Sequence, residues 1–304
     1  MDKDQFNKII KLGRFHFLTA GFLTFTSGAL LASIITGKFF LDKFIFAYLI
    51  LMPAHLSVSY SNDYFDWKAD HFIEPNMFTG GSGVLVKNPQ LRNIAKKIAL
   101  SLIFSSILMA IIYSIIYASP SFLLLAVFGN LLGWFYSATP LKLSYRGLGE
   151  LAMVLSGFII PGLGYLAIAG FIDIKFLLFS IPQMIYQVVF ILSVELPDME
   201  GDKEAGKNTF TVKYGAKASQ FIIMVSTILG IISFILLGLT HMYNPINFNF
   251  ILIFSFIPLL TALWGYKNKL KIEYVKFTKY MVTSLIILIL LLDIYFLWLI
   301  FNII

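Results

Sequence analysis

The sequence contains no cysteine, which excludes disulfides, thiolate nucleophiles and cysteine-ligated metal centres. It is also short of charge. Asp, Glu, Lys and Arg together make up 13% of the 304 residues, about half the share of roughly 25% in an ordinary soluble domain. Histidine is scarce as well. His16, His55, His71 and His241 lie far apart and form no HxxxH pair, and only His71 and Glu74 stand at HxxE spacing, so no zinc or haem site is expected. Against these absences stands a hydrophobic content of 59%, well above the roughly 45–50% of a globular chain. A soluble sphere with so few charges would expose too much apolar surface to stay dispersed. The composition therefore points to a multi-span membrane protein.

A hydrocarbon core of about 30 Å needs roughly 20 apolar residues per helix. Stretches free of Lys, Arg, Asp and Glu occur at Phe15–Gly37, Phe44–Asn62, Leu151–Ile172 and Phe176–Val194. Ile98–Leu141 and Ala218–Tyr266 are each long enough for two spans, with proline-containing breaks at Ala118–Ser121 and Tyr243–Asn247. The last run, Tyr280–Ile304, is interrupted only by Asp293. No period-two alternation suggests strands. The expectation is an all-α membrane protein of nine transmembrane helices in one bundle, residues 1–304 forming a single domain. The mixed-charge N-terminus, with no small-residue cleavage site after the first apolar run, reads as a retained helix and not a signal peptide.

The formal net charge is +7. In a soluble chain that would suggest nucleic acid. Here the basic residues flank spans, so no nucleic-acid partner is expected, and no protein partner is evident. With nine spans, twenty of the 23 Lys and Arg residues, Lys269 and Lys271 among them, fall on the side of the N-terminus; only Lys38, Lys43 and Lys175 fall on the other. The positive-inside rule makes the first side cytoplasmic. The N-terminus and the long loops are then cytoplasmic in a multi-pass cell-membrane protein, and the C-terminus lies opposite.

Nine of the sixteen acids sit in two clusters. Asp63, Asp66, Asp70 and Glu74 follow the second span; Glu195, Asp198, Glu200, Asp202 and Glu204 follow the sixth. Asn62, Asp66 and Asp70 stand at i, i+4 and i+8, which predicts one polar stripe on a single helix face. Asp198 and Asp202 repeat the i, i+4 step. Carboxylates so spaced repel and call for a counter-charge. Hard oxygen ligands of this kind suit Mg²⁺, which commonly joins a few carboxylates to phosphate. Lys68, Lys142, Arg146, Lys203 and Lys207 are placed to neutralise remaining diphosphate oxygens. The bland alternative is a set of solvated helix ends paired with nearby lysines; two matched clusters at matching span ends weigh against it. Asp293, alone in mid-span, reads as a structural hydrogen-bonding group of the bundle. Tyr60, Tyr64, Trp134 and Tyr136 lie near the inner span ends, where Tyr64 and Tyr136 would face a cationic intermediate. The glycine-bearing loop over Phe72–Val86 reads as a cap that orders on substrate binding.

Asn62-Asp63-Tyr64-Phe65-Asp66-Trp67-Lys68-Ala69-Asp70 and Asp198-Met199-Glu200-Gly201-Asp202 resemble the NxxxDxxxD and DxxxD motifs of the UbiA-type intramembrane prenyltransferases. Tyr136-Ser137-Ala138-Thr139-Pro140, Leu143–Glu150 and Asp202–Thr209 are similar to that family's loops after the fourth span and after the second motif. The resemblance covers essentially the whole chain. It implies a nine-helix bundle and a prenyl diphosphate substrate held through Mg²⁺. It implies ionisation to an allylic cation and capture by an acceptor, commonly an aromatic ring. Asn62, Asp66, Asp70, Asp198 and Asp202 would hold Mg²⁺–diphosphate. Arg14 takes the place of the Arg of the family's Arg-Pro, with Phe15 in place of Pro. The style of Tyr145–Glu150 is similar to the naphthoate/quinone branch and implies a quinone-type aromatic precursor or another lipid-precursor acceptor; Glu195 stands where that branch often shows Asn. A cation-coupled transporter or channel is the alternative. It predicts acids near the bilayer midplane and broken spans in paired positions, whereas here the acids gather at one surface. A phospholipid phosphotransferase would show a DGxxAR…GxxxD pattern, which is absent.

Overall fold

The structure, a computed structural model, describes residues 3–78, 81–267 and 273–303. Lys269 and Lys271 of the basic set, and Thr79 and Gly80 of the expected cap loop, lie outside the described residues. The helices are α1 (Lys3–Leu12), α2 (Phe17–Thr36), α3 (Leu41–Asp66), α4 (Val84–Lys87), α5 (Arg92–Ile116), α6 (Pro120–Ser137), α7 (Gly149–Ala169), α8 (Ile174–Glu204), α9 (Phe210–Leu239), α10 (Phe248–Lys267) and α11 (Glu273–Ile303). Among the described residues nine of them, α2, α3 and α5 to α11, are long and apolar enough to cross a membrane. The chain is a multi-pass, all-helical membrane protein. The two double-length apolar runs divide where the prolines predict: α6 opens with Pro120 in its first turn, and α10 begins just after Asn247.

Two groups of helices meet along α2 and α7. Helices α3, α5 and α6 pack on one side of this seam, and α8 to α11 on the other. The seam is close because two glycines remove side chains from it. Gly28 of α2 lies against the Pro161 carbonyl of α7, and Gly164 of α7 against the Phe25 carbonyl of α2, with no space for a Cβ at either. Small residues at such crossings let backbones approach and gain dispersion contacts where lipid offers no hydrophobic drive.

The two ends of the bundle differ in chemistry. At the end holding the short turns between α5 and α6, α7 and α8, and α9 and α10, aromatic rings fill the interior. Tyr113, Phe122, Tyr165, Phe176, Phe179, Phe234 and Phe296 are fully buried. Their polar tips are matched: Tyr165 donates to Asp173 Oδ1 at 2.8 Å, and Tyr243 to the Lys175 carbonyl at 2.7 Å. The other end carries both acid motifs and a small cap. There α1 and α4 pack with Tyr60, Leu91 and Ala95, and Tyr60 donates to the Ile9 carbonyl at 3.1 Å.

Candidate active site

Helix α3 delivers the first motif, but not as one straight helix. It ends at Asp66, and Ala69–Phe72 form a tighter 3₁₀ turn. The cause is local. His71 takes the Trp67 carbonyl with its ring Nδ1 at 2.7 Å, and the His71 N–H goes to the Lys68 carbonyl instead. The helical bond from residue 71 back to 67 is thereby replaced. Asn62 and Asp66 thus share a helix, whereas Asp70 reaches the site from the turn beyond. All three line a cavity of about 350 Å³ between α2, α3, α6, α7 and α8, together with Arg14, Asp63, Tyr136, Asp198 and Lys207. The rest of its wall is largely apolar and includes Phe17, Ile50, Leu51, Ile160, Leu163 and Phe190.

Lys207, on the link between α8 and α9, joins the two motifs. Its Nζ lies 3.5 Å from Asp66 Oδ2 and 3.1 Å from Asp202 Oδ1. The two carboxylates therefore flank one ammonium, far inside the roughly 15 Å beyond which ligand bonds of about 2 Å could not share a diphosphate. Burial works against the charge on Lys207, yet Asp66 and Asp202 overcome it and hold the ammonium well above its usual range. Asp66 is gripped further: Ser137 donates to Oδ2 and Tyr145 to Oδ1, each at 3.0 Å. Burial, reinforced by Asp63 and Asp66, pushes the Asp70 carboxyl up to about 8. Burial also pulls the Arg14 guanidinium down, against the pull of Asp63, Asp198 and Asp70.

The other sequence-predicted residues lie elsewhere. Asp202 is buried behind Lys207 and does not itself line the cavity. Lys203 is exposed, because one helical step of about 100° turns it away from Asp202. Lys68, beyond the end of α3, is exposed too. Arg146 is exposed and donates to the Pro140 carbonyl at 2.9 Å. The Lys142 ammonium lies over the Tyr145 ring, 4.8 Å from its centre. Tyr64 faces away from the cavity and takes the Arg92 guanidinium on its ring at 4.6 Å. Of the two aromatics expected to face a cation, only Tyr136 lines the cavity.

Three contacts had no separate sign in the sequence. Tyr145 lies inside a quoted segment, but its bond to Asp66 is long-range. Asp63 is buried and latched to the cap loop, accepting from Ser82 N at 3.2 Å and from Ser82 Oγ. His16 bonds the Met77 carbonyl through Nε2 at 2.7 Å, tying the same loop to the start of α2. Among the described residues no three acidic or imidazole side chains converge to chelate a metal unaided.

The model of the UbiA prenyltransferase family matches residues 21–277. The 1,4-dihydroxy-2-naphthoate octaprenyltransferase of Bacillus subtilis is 25% identical over 248 residues, 80% of this chain and 78% of that one. The digeranylgeranylglyceryl phosphate synthase of Methanobrevibacter smithii is 26% identical over 234 residues, 74% of this chain and 77% of that one. In three dimensions, a UbiA homologue from Archaeoglobus fulgidus solved with DMAPP and Mg²⁺ aligns with a TM-score of 0.65 at 15% identity, over 94% of this chain and 99% of its own. Sequence, fold and the meeting of the two acid motifs agree: the chain belongs to the UbiA prenyltransferase family.

Proposed function

We propose that this protein transfers a polyprenyl group from a prenyl diphosphate to an aromatic, quinone-type acceptor within the membrane, with Mg²⁺ as cofactor. The observation that carries the reading is the convergence of Asp66 and Asp202 on Lys207 at the polar end of a largely apolar cavity. The acid side of the bundle is cytoplasmic in this reading, as the charge asymmetry supports.

The donor set fits Mg²⁺. Its groups are carboxylate and amide oxygens, and the buried Asn62 Oδ1 in the cavity wall has no hydrogen-bond partner. A protein-only chelate is not required, because Mg²⁺ keeps waters and takes phosphate oxygens beside one or two carboxylates. Asn62, Asp66, Asp70 and Asp198 are the proposed holders, with Asp202 joined through Lys207. When bound, Mg²⁺ supplies positive charge that stabilises a departing diphosphate.

The chain's own groups do the rest. Lys207 and Arg14 present cationic donors to diphosphate oxygens. Ser137 and Tyr145 fix the Asp66 carboxylate and leave it little freedom to reorganise. Phe17, Phe190 and the aliphatic wall keep water from the allylic carbon, and the Tyr136 ring offers a π-face to developing positive charge. The isoprenoid tail is accommodated by apolar surface continuous with lipid.

Support for the acceptor comes from the Tyr145–Glu150 segment and the naphthoate-prenylating relative; the glycerophosphate-type relative favours a second reading. Purified protein with Mg²⁺ and labelled geranylgeranyl diphosphate, offered 1,4-dihydroxy-2-naphthoate and a prenylglyceryl phosphate in competition, separates them. Mass spectrometry should find the prenylated naphthoate. Product only from the phosphate acceptor would replace the aromatic reading, and no prenylated product from any acceptor would reject the function.

A further inference from the structure

Glu195 belongs by sequence to the second acid cluster, three residues before Asp198, yet it does not line the cavity. It is buried, and its Oε2 accepts from Thr211 Oγ1 at 2.9 Å and from Thr211 N at 3.4 Å. We propose that Glu195 is a positioning residue which, with Glu150, holds the first turn of α9 and through it sets Lys207 between the two aspartate motifs. This rests on the role given to Lys207 in the proposed function.

The first turn of α9 needs such a hold. Gly215 sits at φ 82° and ψ 163°, outside helical geometry, and separates Phe210–Tyr214 from the rest of α9. Continuity with the long apolar helix therefore does not fix that turn. Its open N–H groups are instead taken by two other helices and by its own N-cap. Glu150, in the first turn of α7, accepts from Phe210 N. Glu195 of α8 accepts from Thr211 N. The N-cap residue Thr209 accepts from Val212 N at 3.3 Å. A helix leaves these donors unsatisfied at its start, and side-chain oxygens satisfy them here. Thr211 Oγ1 also meets Ser219 Oγ at 2.9 Å, bridging the break.

Lys207 lies three residues before Phe210, and the link between them is short and anchored. The Lys207 N–H donates to the Asp202 carbonyl at 2.9 Å, and Asn208 Nδ2 to the Tyr145 carbonyl at 3.1 Å. A lysine side chain is long and has many rotamers. Its ammonium stays between Asp66 and Asp202 only if its backbone is held at both ends. The α8 end provides one hold, and the Glu150–Glu195 grip on α9 provides the other.

The test is a double-mutant cycle on binding of geranylgeranyl diphosphate with Mg²⁺ to the full-length protein in nanodiscs, at matched folded protein. Glu195→Ala should weaken binding about tenfold, in the range of coupling seen between residues acting through one contact. Glu195→Gln keeps an oxygen for Thr211 and should restore most of the affinity. In a Lys207→Ala background, Glu195→Ala should change binding less than twofold. Thr211→Val, which removes the hydroxyl donor with little change in shape, carries the same cycle should Glu195→Ala not fold. Full additivity with Lys207→Ala, or normal binding by Glu195→Ala, overturns the positioning role while leaving the functional reading intact. A Glu195→Ala effect that persists without Lys207 and appears as a weaker Mg²⁺ dependence makes Glu195 a metal ligand instead. Normal binding by Lys207→Ala alone defeats the functional assignment of Lys207, and the positioning role falls with it.

Discussion

Tyr145 donates its phenol hydrogen to Asp66 Oδ1 at 3.0 Å, from 79 residues further along the chain. The bond ties the loop before α7 to the end of α3, so the first acid motif is oriented by an element that precedes the second. Ser137 occupies the other oxygen of the same carboxylate. A carboxylate held on both oxygens is preorganised, and the partners that hold a metal ligand typically matter by about 10–100-fold. Tyr145→Phe should therefore lower prenyl transfer by about tenfold while the chain still folds. Steady-state turnover beside a detergent melting curve checks both parts.

Removal of a carboxylate itself should cost more. Asp66→Ala and Asp202→Ala are each expected to reduce turnover by about 10² or more, the scale of losing one preorganised electrostatic contact. Each variant also takes one carboxylate away from the buried Lys207 ammonium, so Tm should fall as well in the absence of substrate. The measurement is Mg²⁺-dependent transfer at matched folded protein. Normal activity in both variants would remove the metal site assigned to these residues.

The cap loop offers a separate test. Ser82 gives both its N–H and its hydroxyl to Asp63, and Met77 is tied to His16. Ser82→Ala removes the hydroxyl bond and should speed hydrogen exchange at Ser82–Val86 in the substrate-free protein. Prenyl diphosphate with Mg²⁺ should slow exchange across the described part of Phe72–Val86 in the unaltered chain. Identical exchange with and without ligand would remove the capping role.

The Gly28 and Gly164 seam predicts a defect of packing. A methyl group at Gly164 would collide with the Phe25 carbonyl, which is backbone and cannot swing aside. Overpacking of this kind typically costs about 1–3 kcal/mol. Gly164→Ala should lower Tm in detergent, with activity falling in step with the folded fraction.

Asp293 behaves as a bystander in this reading. Both of its carboxylate oxygens are buried and have no hydrogen-bond partner among the described residues. The structural hydrogen bond expected from the sequence is therefore not present. Asp293→Asn should leave turnover near normal. Asp293→Leu should leave Tm unchanged or raise it, since exchanging a buried unsatisfied group for an apolar one of similar size is nearly neutral or favourable. A large loss of turnover in Asp293→Asn, with Tm intact, would give this residue a functional part.

The spans were legible because each apolar run had a length set by the bilayer, and the proline breaks marked where two runs had merged. The acid motifs were legible as residue types and as helix ends. What spacing could not supply was direction beyond a helix end. Asp70 keeps its place in the site only through a turn created by His71. Lys203 is one residue from Asp202 yet points outward, whereas Lys207, five residues on and past the end of α8, returns to the centre. Tyr64 and Tyr136 looked equivalent in sequence; Arg92 and Lys96 draw the first to the outer surface. The Asp70 turn and the outward Lys203 are local effects past or along a helix end, whereas the places of Lys207 and Tyr64 depend on partners distant in the chain.

The aromatic rings at the end of the bundle away from the aspartates have a consequence for the membrane as an electrical insulator. A cell holds ion gradients across its bilayer, and a continuous thread of water through any protein would discharge them. Here the tightly packed rings of Tyr165 and Phe176, 4.8 Å apart, and of Tyr113 and Phe122, 4.3 Å apart, stand among fully buried neighbours beyond the cavity. Apolar constrictions of this kind shed water and block ions. These rings thus oppose a continuous water path between the cavity, which is polar only at its aspartate end, and the far face of the bundle.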